Sequence, residues 1–201
     1  TGTNALTVTS GGAVSVAGIT SGALAITGTG ITLNNNITTT GSQTYTGAVT
    51  LGDAITLTSN NNTVSFSGSG STVNGAKDFT VNAGSGAINF GGVVGGSGAL
   101  SSISLTTTHT TGITLSGNVT TTGSQSYNGA VTLAANTTLA TTNSDVSFGG
   151  TLNGNAAGRT LTITAGTGAV SFTGAVGGTA LTGLTVNSSA INVNSSINTS
   201  G

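Results

Sequence analysis

Six side chains in this 201-residue chain could carry acid–base chemistry near neutral pH: Asp53, Asp78, Asp145, Lys77, Arg159 and His109. Glycoside hydrolysis asks for two converging carboxyl groups, and polysaccharide lyases use Ca²⁺-holding carboxylates beside an Arg or Lys base. Nothing in the spacing of these three acids suggests convergence. His109 sits in a Thr-Thr-His-Thr-Thr run with no second His or acid nearby, which suits neither a metal site nor a catalytic base. Cys is absent, so no disulfide or thiolate metal site can form. No complete dinucleotide, phosphate-binding or nucleophile-elbow motif occurs, and neither does a Gly-Gly-x-Gly-x-Asp calcium repeat. Two cations cannot build a basic surface for nucleic acid. No catalytic, cofactor-binding or metal-ligating residue is assigned, and the chain is expected not to be an enzyme.

What remains is a scaffold, and its composition is unusual. Charged residues make up 2% of the chain, so solubility must come from Thr, Ser and Asn rather than from mutual repulsion. Hydrophobic residues reach only 35%, yet they are β-branched and spread evenly, which separates the chain from disordered low-charge sequences. No apolar run approaches the roughly 18 residues of a membrane helix. No targeting segment is visible at Thr1.

The strongest signal is an internal repeat. Residues 30–51 read GITLNNNITTTGSQTYTGAVTL and residues 112–133 read GITLSGNVTTTGSQSYNGAVTL, identical at 17 of 22 positions with a shift of 82. The frame persists: Tyr45 matches Tyr127, Val64 and Phe66 match Val146 and Phe148, Phe79 matches Leu161, and Phe90 matches Phe172. Lys77 matches Arg159, so the two cations share a repeat position. That makes a basic spot for an anionic glycan conceivable, although a solvated turn residue that blocks lateral pairing is the simpler reading. The acids do not repeat: in the same frame Asp53, Asp78 and Asp145 correspond to Ala135, Thr160 and Thr63. They are expected to be isolated surface residues.

Residues 191–201 align with 31–41, and residues 1–30 resemble the tail of a repeat, with Val14 and Val16 in the place of Ile88 and Phe90. The chain therefore divides into the end of one repeat (1–30), two full repeats (31–112 and 113–190) and the start of another (191–201). A further copy of the Ser-Gln-x-Tyr phrase is expected after Gly201.

Within each repeat the unit is apolar-x-apolar: Leu6/Val8, Ile31/Leu33, Val49/Leu51, Ile55/Leu57, Val64/Phe66, Ile88/Phe90 and others. Such alternation buries one face of a strand and leaves Thr, Ser or Asn on the other. Gly, Asn and Ser clusters between units supply bends. Helical periodicity is missing throughout. Units begin near Ile31, Val49, Thr72, Val93 and Ile113, about 20 residues apart, which predicts triangular coils of three short strands. The fold class is therefore all-β, a right-handed parallel β-helix (β-solenoid) with about four coils per 82-residue repeat, its hand following from the crossover rule. Ten or so coils would form a rod of roughly 50 Å.

Three finer expectations follow. Phe66 and Phe90, and likewise Phe148 and Phe172, lie 24 residues apart and should stack between adjacent coils. The runs Asn34, Asn35, Asn36 and Asn60, Asn61, Asn62 should sit at bends and form side-chain ladders along the rod. The Thr rows 38–40 and 120–122 should face outward, where a flat hydroxyl array could order water. The sequons at Asn36, Asn61, Asn118, Asn136 and Asn187 arise by chance in so Thr- and Ser-rich a chain.

The phrases TTTGSQTYTGAVTL and SGAINFGGVVGG resemble repeats of very large filamentous haemagglutinin-like exoproteins. The resemblance covers nearly the whole chain. It implies a right-handed β-helical shaft, export across a Gram-negative outer membrane by two-partner secretion, and a role in adhesion, biofilm or aggregation at the cell surface. The amino-terminal secretion domain of that family is not in this sequence, and no functional residue carries over. The resemblance thus implies the structural shaft of an extracellular adhesin. Its partners would be neighbouring repeats, further copies of itself or cell-surface glycans. A self-assembling filament or sheath is the second reading, followed by a carbohydrate-active β-helix and an ice-binding protein.

Overall fold

A computed structural model describes residues 3–155 and 158–200 of the chain. The described residues form 24 strands and no helix. Every strand pairing is parallel. The chain is a parallel β-solenoid of about nine turns.

Each turn visits three faces. The first face is the ladder Leu6, Leu24, Gln43, Val64, Ile88, Ile113, Val131, Leu152, Val176, Ile197. The second runs Val14, Ile31, Val49, Val73, Val94, Val119, Leu139, Ile163, Val186. The third runs Ile19, Ile37, Leu57, Val81, Leu105, Tyr127, Phe148, Phe172, Val193. On three turns the first two faces are joined by one bent strand, as in Leu24–Leu33 and Gln43–Leu51.

Successive rungs are 17 to 25 residues apart, from Val14↔Ile31 to Ile88↔Ile113. The strands keep register while the bends absorb the difference in length. This variation changes the relation between repeat and turn. Ile31, Val49, Val73 and Val94 share the second face, as their spacing predicts, but Ile113 stands on the first and Val119 takes its place. The 82-residue shift spans eleven strand positions, or three and two-thirds turns, where the even 20-residue spacing predicts about four.

The core is the stack of inward residues. Val64, Ile88, Ile113, Val131 and Leu152 are 0% exposed, and the residue that follows each (Ser65, Asn89, Thr114, Thr132 and Asn153) is half-buried on the outer side. Aromatic rings order this core into columns. Phe66 and Phe90 stack with centroids 5.0 Å apart and planes within 3°, and Phe148 and Phe172 at 5.3 Å and 7°. Both predicted pairs are present, and each is extended by a tyrosine: Tyr45 on Phe66 at 5.1 Å, and Tyr127 on Phe148 at 5.1 Å. Offset or parallel rings at such distances add about 0.5–1.5 kcal/mol per pair beyond burial. Leu6, Ile191, Val193 and Ile197, on the first and last rungs described, are exposed.

The bends use asparagine in a way that differs from the expected Asn–Asn ladder. Asn36 Oδ1 accepts the Thr56 backbone N–H of the next turn at 2.8 Å, and its repeat partner Asn118 accepts that of Thr138 at 2.8 Å. Asn61 and Asn143 do the same for Ser85 and Thr167, each at 3.1 Å. The side-chain carbonyl thus continues the backbone ladder round the corner, where peptide groups alone diverge and would be left unpaired. Asn61 and Asn143 adopt positive φ of 68° and 55°, which asparagine tolerates better than most side chains.

Gly47 marks a tighter corner. Its φ is +134°, and a Cβ there would collide with the carbonyl oxygen of Gly28 one turn below.

Candidate functional site

Asp53, Lys77, Asp78, His109, Asp145 and Arg159 all lie in the connections between strands or at the first residue of a strand. Asp53, Lys77, Asp78 and Asp145 share the corner that leads into the third face. Asp53 and Lys77 each stand two residues before a paired strand residue, Ile55 and Phe79, so they occupy the same place on adjacent turns. Repeat numbering hides this arrangement, because equivalence in the repeat is not equivalence in space. Each carboxylate is engaged locally: Asp53 Oδ1 accepts the Ala54 N–H, Asp78 Oδ1 the Ser102 hydroxyl at 2.7 Å, and Asp145 Oδ1 the Ala169 N–H at 2.8 Å. They act as corner acceptors, as the asparagines do.

Lys77 is exposed, whereas Arg159 is half-buried and donates from Nε to Asn155 Oδ1 at 2.9 Å, on a different corner. His109 Nδ1 meets Thr111 Oγ1 at 2.8 Å and closes its own bend. Among the described residues no group of three or more His, Cys, Asp or Glu could hold a metal ion.

One groove of about 480 Å³ runs along the corner between the first and second faces. Gly28, Gly47 and Gly70 leave the space open, and the hydroxyls of Thr27, Thr46 and Ser67 line it. Ser71 Oγ shapes the wall by accepting the Gly47 N–H at 3.0 Å while donating to the Ser67 carbonyl. Hydroxyls and peptide groups can exchange hydrogen bonds with a neutral polyol. No acidic or basic side chain is among the residues lining this groove.

The most elaborate polar arrangement is inside the rod. Gln43 and Gln125, both fully buried, are repeat partners with the same role. Gln43 Oε1 accepts the Tyr45 hydroxyl at 2.8 Å, and its Nε2 donates to the Thr58 carbonyl at 2.9 Å and to Thr39 Oγ1 at 3.2 Å. Gln125 Oε1 accepts the Tyr127 hydroxyl at 2.8 Å, and its Nε2 donates to the Ala140 and Val119 carbonyls and to Thr121 Oγ1. The Thr rows expected to face outward therefore split. Thr38 and Thr40 do point out, but Thr39 and Thr121 are 1% exposed and donate to the Gly41 and Gly123 carbonyls. Among the described residues no buried side-chain polar atom lacks a partner. A network satisfied at every atom favours one register over others, because any slip would strand several groups at once.

Burial pushes the phenols of Tyr45 and Tyr127 far above the usual tyrosine range. The unfolded chain titrates near pH 10 while the folded core holds both protons, so the unfolded state binds fewer protons above that pH. Stability from these groups is intact below about pH 10 and falls as pH rises beyond it. The unfolding equilibrium should then shift by about tenfold per pH unit for each tyrosine. Urea titrations at pH 9 and 11 check this. An unchanged midpoint would mean that the phenols are not sealed.

No protein-family model matches the chain, and no curated protein and no solved structure matches it either.

Proposed function

We propose that this chain is a stretch of the shaft of a large bacterial surface-bound or secreted adhesin, extracellular and without catalytic activity of its own. The observation that carries this reading is the uninterrupted three-faced stack. Large apolar side chains are used to hold one turn on the next, and the polar ones close corners. A solenoid of this kind lengthens by about 4.8 Å with every added turn and keeps its cross-section, which suits it to holding a terminal module away from a surface. The winding is right-handed, following the crossover preference for parallel strands. The resemblance to filamentous haemagglutinin-like repeats supports the same role.

A second reading, lateral assembly into a filament or sheath, is favoured by the absence of charge from the interior positions of the outward faces.

A reporter epitope fused to shafts of one, two and three 82-residue repeats on a bacterial surface tests the shaft role. Accessibility to a large antibody should rise with repeat number. Equal accessibility at all lengths, or cleavage of polysaccharides by the purified chain, would refute it.

A further inference from the structure

The repeat and the turn are out of step by a constant amount. Gln43 and Tyr45 stand on the first face, and Gln125 and Tyr127 on the third, eleven strand positions later. Val64 and Ile88 on the first face likewise become Val146 and Val170 on the third. Phe79 on the third becomes Leu161 on the second, and Ile31 on the second becomes Ile113 on the first. Each of these pairs falls one strand short of four full turns.

We infer that successive copies of the repeat are displayed on successive faces of the rod, each set back by one third of a turn. An equivalent repeat position returns to the same face only after three copies, about 246 residues and eleven turns. Between neighbouring copies the surface advances about 18 Å along the axis and moves to another side. The two cations illustrate the effect: Lys77 precedes a third-face strand and Arg159 opens a second-face strand. A repeat-borne interaction surface is thereby spread around the rod. This holds whether or not the rod is an adhesin shaft.

Residues 88–113 make one of the longest turns, at 25 residues, and cysteine pairs can read the register there because the chain has no native Cys. Outward residues facing each other on adjacent parallel strands lie within disulfide reach, and oppositely placed ones do not. Asn89→Cys with Thr114→Cys should cross-link under mild oxidation, as should Thr80→Cys with Ser104→Cys. Asn89→Cys with Ser104→Cys should not. If the repeat occupied four whole turns, the strand containing Ser104 would lie above Asn89, and the last pair would bridge in place of the first. All four positions are half-buried on the outer side, so the variants should fold, and circular dichroism checks this. A bridge between positions 89 and 104, or none between 89 and 114 in the folded protein, would overturn the inference.

Discussion

Phe66→Ala should destabilise the rod by about 3–5 kcal/mol, the range for removing a buried aromatic side chain from a packed core. Phe66 is 1% exposed and lies between two stacked rings, Tyr45 at 5.1 Å and Phe90 at 5.0 Å, with the edge of Phe79 at 5.9 Å. Truncation opens a cavity bounded by three rings that are each fixed by their own strand, so collapse into it is limited. The counterpart Phe148 is stacked between Tyr127 and Phe172, and Leu161 replaces the edge-on ring in the repeat, so Phe148→Ala should cost less. Urea denaturation measures both. Because a solenoid turn touches only its neighbours, the damage should stay local. Amide exchange should quicken around residues 43–46, 64–66 and 88–90 while residues 146–148 and 170–172 keep their protection. A loss below about 1 kcal/mol would contradict the stacked column.

Gln125→Leu should cost about 2–4 kcal/mol although it makes the core more apolar. The carboxamide accepts the Tyr127 hydroxyl and donates to the Val119 and Ala140 carbonyls. The Ala140 carbonyl keeps the Thr121 N–H at 2.9 Å, but the Tyr127 hydroxyl is stranded, and a buried polar group left without a partner costs about 1–3 kcal/mol in addition to the other hydrogen bonds lost. The diagnostic variant is the double change Gln125→Leu with Tyr127→Phe, which removes the stranded hydroxyl. It should be more stable than the single Gln125→Leu variant, whereas Tyr127→Phe alone should lose stability. Equal stability of the single and double variants would show that the network is not closed as described.

The strands and the aromatic pairing were legible in the sequence because both rest on period-two alternation, which the solenoid preserves. Val64/Phe66 and Ile88/Phe90 point inward as their spacing requires, and the 24-residue interval places ring over ring. The corners were harder to read. A bend can change length by several residues without disturbing the strands it joins, so the 82-residue period did not reveal which face a copy occupies. For the same reason Asp53 and Asp78 looked unrelated, although both lie on one corner. Gln43 and Gln125 do not stand out in the sequence, because glutamine is rarely buried. A signal was available: Thr39, Gln43 and Tyr45 share the same parity, as do Thr121, Gln125 and Tyr127, and continuing the alternation places all of them inside. Polar residues at inward positions read as outward Thr rows only when composition outweighs phase.

The central claim is that every strand runs in the same direction and pairs with the strand one turn away. Cross-strand nuclear Overhauser contacts in the isotopically labelled 18.9 kDa chain test it most directly. Contacts should link Val64 with Ile88 and Ile88 with Ile113, and continue Leu105 with Tyr127 and Tyr127 with Phe148, in the parallel pattern throughout. Short Hα–Hα contacts between strands adjacent in sequence, the mark of antiparallel hairpins, would contradict it.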